Sequence, residues 1–213
     1  MNLLKTMLLL SALGNGILMA SNANARDPHI SYSYVDLAYV YSEVDDVVPG
    51  VDMDGDGWLA GFSGAIHPNI HLFGSYSDQT FDLDLSGAPD IDGTGWDLGI
   101  GYNYSINEKT SIFARVAYVD VEAEASGISE DDNGYGLSAG IRYMLITDGI
   151  RASVLDGIEF GGSINYVDVD LGDDTSLGAG VLFHITPNVG IGLEGAWGDD
   201  ESSYLAGVRL TFD

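Results

Sequence analysis

No cysteine occurs in the 213 residues, and only seven of them are lysine or arginine. The first absence excludes disulfides and fits an exported chain that needs none. The second is set against 33 aspartates and glutamates, for a formal net charge of −26 and a pI near 4.1. That balance excludes a nucleic-acid partner, because phosphate neutralisation requires a basic surface. Beyond residue 20 no segment has the roughly 18 apolar residues that a transmembrane helix requires. A helical period and a linker are also missing. Apolar residues are not scarce, however. The chain is 46% hydrophobic and rich in Tyr, Val, Leu and Ile, unlike acidic disordered chains. Its length suits one domain, or at most two small ones.

The N-terminus has the three parts of a secretory signal. Met1 to Lys5 carries a positive charge, Met7 to Ala20 is apolar, and Ala23-Asn24-Ala25 supplies an A-x-A cleavage pattern. The apolar run is short for an anchoring helix and is broken by Gly14, Asn15 and Gly16. Residues 1–25 are therefore expected to be a signal peptide, and 26–213 a single exported domain.

That domain alternates with period two, again and again. Trp96, Leu98, Ile100, Tyr102 and Tyr104 share one face, while Asp97, Gly99, Gly101 and Asn103 share the other. Tyr135 to Leu145, Val189 to Trp197 and Tyr204 to Phe212 repeat the pattern. Such segments predict ten strands, at 30–43, 57–66, 70–82, 95–105, 111–123, 134–145, 157–169, 175–184, 188–198 and 203–212. The fifth and eighth carry the weakest alternation, which leaves eight strands as the alternative. An even number keeps both termini on one side. Short turns such as His67-Pro68-Asn69, Asn107-Glu108-Lys109 and Pro187-Asn188 alternate with longer acidic connections near 45–56, 83–94, 124–133, 170–174 and 198–202. Short turns at one end and longer loops at the other are the layout of an up-and-down transmembrane β-barrel.

Alternation alone does not say which face is outside, since a soluble barrel buries its apolar face and a membrane barrel exposes it. Two features decide for the membrane. The non-apolar face is mostly Gly, Ser and Ala, too poor in charge for a soluble exterior. Aromatic residues also stand at one level. Tyr41, Tyr76, Tyr118, Tyr166 and Trp197 end strands that run toward the acidic connections, and Trp58, Trp96, Tyr135 and Tyr204 begin strands that leave them. All nine fall on the apolar face, as an interfacial girdle requires. From girdle to short turn is nine residues in 58–66, 96–104 and 204–212, against the roughly 9–11 that a tilted strand needs to cross.

Charges follow the same division. Between girdle and turn, Asp36, Asp97, Arg115, Arg142, Glu159, Glu194 and Arg209 all lie on the face opposite the apolar residues, which places them in the lumen. Depth below the girdle pairs Arg142 with Glu159, and Arg209 with Asp36 where the last strand meets the first.

The runs ISYSYVDLAYV at 30–40, HPNIHLFGSYS at 67–77 and IFARVAY at 112–118 resemble the Ax-twenty-one-like family of small outer-membrane proteins. The resemblance covers most of the exported domain and is strongest in its first half. It implies an outer-membrane and vesicle-associated barrel, and brings no catalytic residues. Barrels of the wider class commonly end on an aromatic that the barrel assembly machinery reads, whereas Asp213 follows Phe212 here.

Barrel enzymes place catalytic groups at the outer rim. His29, His67, His71 and His184 all fall toward the opposite, periplasmic end, so an outer-rim site lacks its general base, and no enzyme is expected. Asp52-Met53-Asp54-Gly55-Asp56-Gly57 resembles the start of an EF-hand loop, but Ser63 stands where the twelfth-position Glu belongs and strands flank it. No cofactor or dedicated metal site is expected. With the adjoining strand ends, the stretches 43–57, 78–94, 120–133, 168–174 and 199–201 hold 24 of the 33 acids and no Lys or Arg. They generate a negative field that keeps the loops solvated, holds divalent cations loosely beside anionic lipopolysaccharide, or favours cation entry. Two functions remain open: a structural or surface-interaction barrel in the outer membrane, and a narrow cation-preferring pore. Lumen glycines such as Gly99, Gly101, Gly140 and Gly190 leave room for the second.

Overall fold

The structure is a computed structural model that describes residues 22–24, 27–48, 50–85, 87–146, 155–170 and 172–212. The signal-peptide reading lies almost wholly outside these residues, as does most of the connection at 147–154. Two short strands, β1 (Asn22–Asn24) and β2 (Asp27–His29), pair with each other. The next ten close a barrel: β3 (Tyr34–Val48), β4 (Val51–His67), β5 (Ile70–Leu83), β6 (Ile91–Asn107), β7 (Thr110–Ala125), β8 (Ile128–Ile146), β9 (Gly157–Val169), β10 (Gly172–Thr186), β11 (Val189–Trp197) and β12 (Glu201–Thr211). Each pairs antiparallel with its sequence neighbours, and β12 closes on β3 with Tyr204 opposite Tyr41 and Arg209 opposite Asp36. The weakly patterned segments are β7 and β10, and both are paired along both edges. The barrel has ten strands, not eight. Closure leaves no edge between girdle and turn, so every strand there is hydrogen-bonded on both sides.

Side chains follow the predicted parity. Leu37, Trp58, Leu98, Ile100, Leu137, Ile141, Ile191 and Val208 point outward and are exposed, while Asp36, Asp97, Arg142, Glu159, Glu194 and Arg209 point inward and are buried. Lipid is the solvent that such an outer wall fits. A charge turned onto it costs on the order of 2–4 kcal/mol at mid-depth, and none of the described lysines or arginines between girdle and turn takes that orientation. Because the chain has no cysteine, single cysteine spin labels at 98, 100, 137, 141, 191 and 208 give an unambiguous reading. Strong oxygen collisions and protection from aqueous nickel chelates are expected, and the reverse would make the barrel a soluble one.

Above the girdle the structure departs from the sequence reading. The acidic connections at 45–56, 83–94 and 124–133 are not long loops. Most of their residues continue the strands, leaving short links at 49–50, 84–90, 126–127, 170–171 and 198–200. Ser126 and Gly127, both at positive φ (52° and 79°), make the tight two-residue link between β7 and β8. The physical reason is an inversion of amphipathy without a change of phase. Below the girdle the outward parity is apolar. Above it the same parity is acidic and the inward parity becomes apolar, as in Val119-Asp120-Val121-Glu122-Ala123-Glu124-Ala125. Val44, Met53, Phe81, Ile91, Val119, Val121, Ala123, Val167 and Val169 meet there in a buried core.

The start of the first strand is also corrected. Ser31 and Tyr32 are both buried, which breaks the alternation, and β3 begins only at Tyr34.

Candidate functional site

The lumen carries the structure's polar chemistry, and the segment before β3 enters its short-turn half. Tyr32 is 5% exposed and reaches four strands. Its hydroxyl lies 3.1 Å from Ser111 Oγ on β7, and its carbonyl accepts from Ser63 Oγ on β4 at 2.8 Å. Its ring stacks on His71 of β5 at 4.6 Å and lies under the Arg142 guanidinium of β8 at 4.7 Å. Arg142 also donates to the Ser31 carbonyl at 3.1 Å. A residue whose side chain touches β5, β7 and β8 while its carbonyl is held by β4 crosses the lumen.

Arg142 donates to Glu159 through Nε at 2.7 Å and Nη2 at 2.5 Å. The two residues are not directly opposite, since Arg142 faces Gly161 and Glu159 faces Met144. The strands are staggered by two residues relative to the girdle count, and the long arginine side chain spans the diagonal. At the seam, Arg209 and Asp36 are direct cross-strand partners and form a bidentate pair, Nε to Oδ1 and Nη2 to Oδ2, both at 2.5 Å. Such a fork fixes geometry as well as charge. Arg209 also lies 3.7 Å over the ring of Tyr34.

The other lumen charges have their own surroundings. Arg115 donates to His71 Nε2 and to the Tyr34 hydroxyl, both at 3.2 Å, and sits 4.9 Å from the rings of Phe73 and Phe113. Because arginine only donates, His71 accepts through Nε2, leaving Nδ1 to donate to Asn103 Oδ1 at 3.3 Å. Asp97 accepts from Ser75 Oγ at 2.5 Å, and Glu194 is buried higher on β11.

Four of the lumen glycines stand against side chains and not against open space. A Cβ at Gly99 would stand 2.5 Å from the Phe73 ring, at Gly101 2.2 Å from His71, at Gly140 2.6 Å from Phe113, and at Gly190 2.8 Å from Leu182. The space each glycine vacates is occupied by a large side chain from the neighbouring strand. Ala38, Val40, Leu59 and Leu205 add an apolar patch beneath the girdle, and the crown core closes the outer end.

The described histidine side chains offer no open acid–base site. His67 lies in the exposed β4–β5 turn. His184 Nε2 is 3.6 Å from Glu159 Oε2, but both groups are buried and Arg142 holds the same carboxylate. The EF-hand-like stretch is part of β4. Asp52, Asp54 and Asp56 project from one strand face while Met53 points into the core, so these acids do not curl around an ion.

Outside, a first tier of acids sits one outward position above the girdle: Glu43, Asp56, Asp78, Asp120 and Asp168. Tyrosine hydroxyls brace it. Tyr39 donates to Asp56 at 2.8 Å, and Tyr135 and Tyr166 donate to one oxygen of Asp168 at 2.8 and 3.2 Å. Higher up, acids face acids across strands, with Asp54 opposite both Glu43 and Asp82, Asp92 opposite Glu124, and Glu122 opposite Asp131. Like charges directly opposite repel, so this surface carries a concentrated negative field.

No family model matches the chain, and no curated protein matches its sequence. Solved structures do resemble it. The transport unit of the autotransporter AIDA-I from Escherichia coli has 11% identity and a TM-score of 0.53, over 97% of this chain and 96% of that one. The outer membrane protein OprG from Pseudomonas aeruginosa has 11% identity and a TM-score of 0.45, over 86% and 98%. The KdgM porin in complex with disordered oligogalacturonate has 12% identity and a TM-score of 0.45, over 84% and 99%. The fold is that of the small outer-membrane β-barrels.

Proposed function

We propose that this chain is a non-enzymatic outer-membrane barrel with a closed lumen, whose working surface is the acidic crown. The observation that carries the reading is Tyr32, which crosses the lumen to touch four strands. The packed glycines and the crown core support it at other depths. The girdle and the apolar wall suit lipid, and the missing outer-rim base weighs against catalysis. Export through the signal peptide, insertion by the barrel assembly machinery, a place in shed vesicles and kinship with the Ax-twenty-one-like group belong to the same proposal. Its partners are membrane lipid and the anionic lipopolysaccharide leaflet, reached through divalent cations held loosely by the crown.

Two measurements test the role. Purified protein in planar bilayers is expected to leave the membrane silent. Steady channels with a cation-selective reversal potential would establish the pore reading instead, because a negative mouth concentrates cations within about 8 Å at physiological salt. Calcium titration is expected to show weak, salt-sensitive uptake spread over the crown, since Asp52, Asp54 and Asp56 on a straight strand face lack a wrapping ligand set. A single tight site abolished by D54A would overturn that part.

A further inference from the structure

We propose that Asp174 of β10 and Glu201 of β12 form a divalent-cation clip that ties the outer ends of these strands across the β11–β12 link. Glu201 is only 9% exposed, although it borders an exposed connection. Among the described residues no donor reaches Glu201 Oε1 or Asp174 Oδ2. Both oxygens converge over Gly198, where a Cβ would stand 3.0 Å from Asp174 Oδ2 and 3.4 Å from Glu201 Oε1. The link is drawn tight by Gly198 N–H donating to the Glu201 carbonyl at 2.9 Å, and Asp45 N–H holds the Asp200 carbonyl at 3.0 Å.

The buried Glu201 carboxylate and the half-buried Asp174 thus aim one undonated oxygen each at the same point, and that arrangement has two remedies, a shared proton or a cation. Two carboxylates brought this close repel when both are ionised, and a doubly charged ion relieves that repulsion. No three acidic or histidine side chains converge anywhere among the described residues. The clip accordingly supplies two carboxylates, with water completing the six to eight oxygens that calcium accepts. An incomplete, exposed-sided set places its Kd at about 10⁻⁴ M, in the range of extracellular calcium modules. The clip requires the barrel fold and goes beyond the closed-lumen reading.

Trp197 adjoins Gly198 and gives the site its own reporter. Terbium added to the refolded barrel in detergent micelles should give saturable, tryptophan-sensitised emission, displaced by calcium. W197F should remove most of this signal, while E201Q and D174N should each raise the half-saturating terbium concentration at least about tenfold. E108Q, on the periplasmic turn, should leave it unchanged. Retained heat-modifiable gel mobility in each variant shows that the barrel has folded. Emission that survives both E201Q and D174N, or calcium displacement with no saturable phase, would overturn the clip and leave a proton-sharing pair. Either result would leave silent bilayers and diffuse crown binding intact, so the two proposals fail separately.

Discussion

R209M is expected to destabilise the barrel by about 3–5 kcal/mol, because it leaves Asp36 buried without its hydrogen-bonded counter-charge. Asp36 and Arg209 are 3% and 1% exposed, and their two hydrogen bonds cross the junction where the last barrel strand closes on the first. The stacked contact with Tyr34 is lost as well. D36L/R209M should recover most of the loss, since an apolar pair of similar volume avoids desolvating either charge. Urea unfolding of protein folded into lipid vesicles measures all four corners of the cycle. A coupling of 1 kcal/mol or more, on the scale of about 0.5–3 kcal/mol seen for contacting residues, is the expected result. Additive losses would mean that each charge is solvated by itself, and the seam would not be held from inside.

F81A is expected to loosen the crown while sparing the membrane-embedded barrel. Phe81 has no exposed surface, and its ring lies against Gly55 and Gly93, where a Cβ would stand 2.1 and 2.9 Å away. Removing a buried phenyl ring costs about 3–5 kcal/mol, more than short strand ends beyond the lipid can absorb without opening. Hydrogen exchange should accelerate at 51–56, 79–83 and 91–95 and stay slow at 98–104, and F81L should restore much of the protection. Unchanged exchange above the girdle would show that the core at 44, 53, 81, 91 and 121 does not hold the crown.

How much of this was legible in the sequence depended on the solvent each residue faces. Trp96 to Tyr104 reads as a lipid-facing strand because membrane and lumen enforce opposite chemistry on alternate residues. The same contrast made Asp36 and Arg142 readable as inward. The crown is hidden because Asp52, Asp54, Asp56 and Glu124 read as loop-forming charge, though Met53 and Ala125 alternate with them in strand period. Tyr32 was missed for the opposite reason. It shares parity with Tyr34, so a residue folded into the lumen looked like the start of a strand. Asp174 and Glu201 carry no local signal, because their proximity is produced by the pairing of β11 with both β10 and β12. Depth alone sets Arg142 level with Glu159; the two-residue stagger that makes their contact diagonal has no signal in the pattern.

The tier of Glu43, Asp56, Asp78, Asp120 and Asp168 also fixes how deep the barrel floats. One ladder step is two residues, or about 6.6 Å of strand. Sinking by that amount would drive five carboxylates and their tyrosine donors into hydrocarbon together. Rising would lift Ile66, Ile106 and Phe212 out of it at the other face. Single-residue costs near an interface are small, but a ring of them acts in concert and makes the energy well narrow. In a bilayer too thick or too thin, tilting a wide barrel would immerse one arc of this ring while exposing the opposite arc. The mismatch therefore falls on the surrounding lipid, which must stretch or compress to meet the protein.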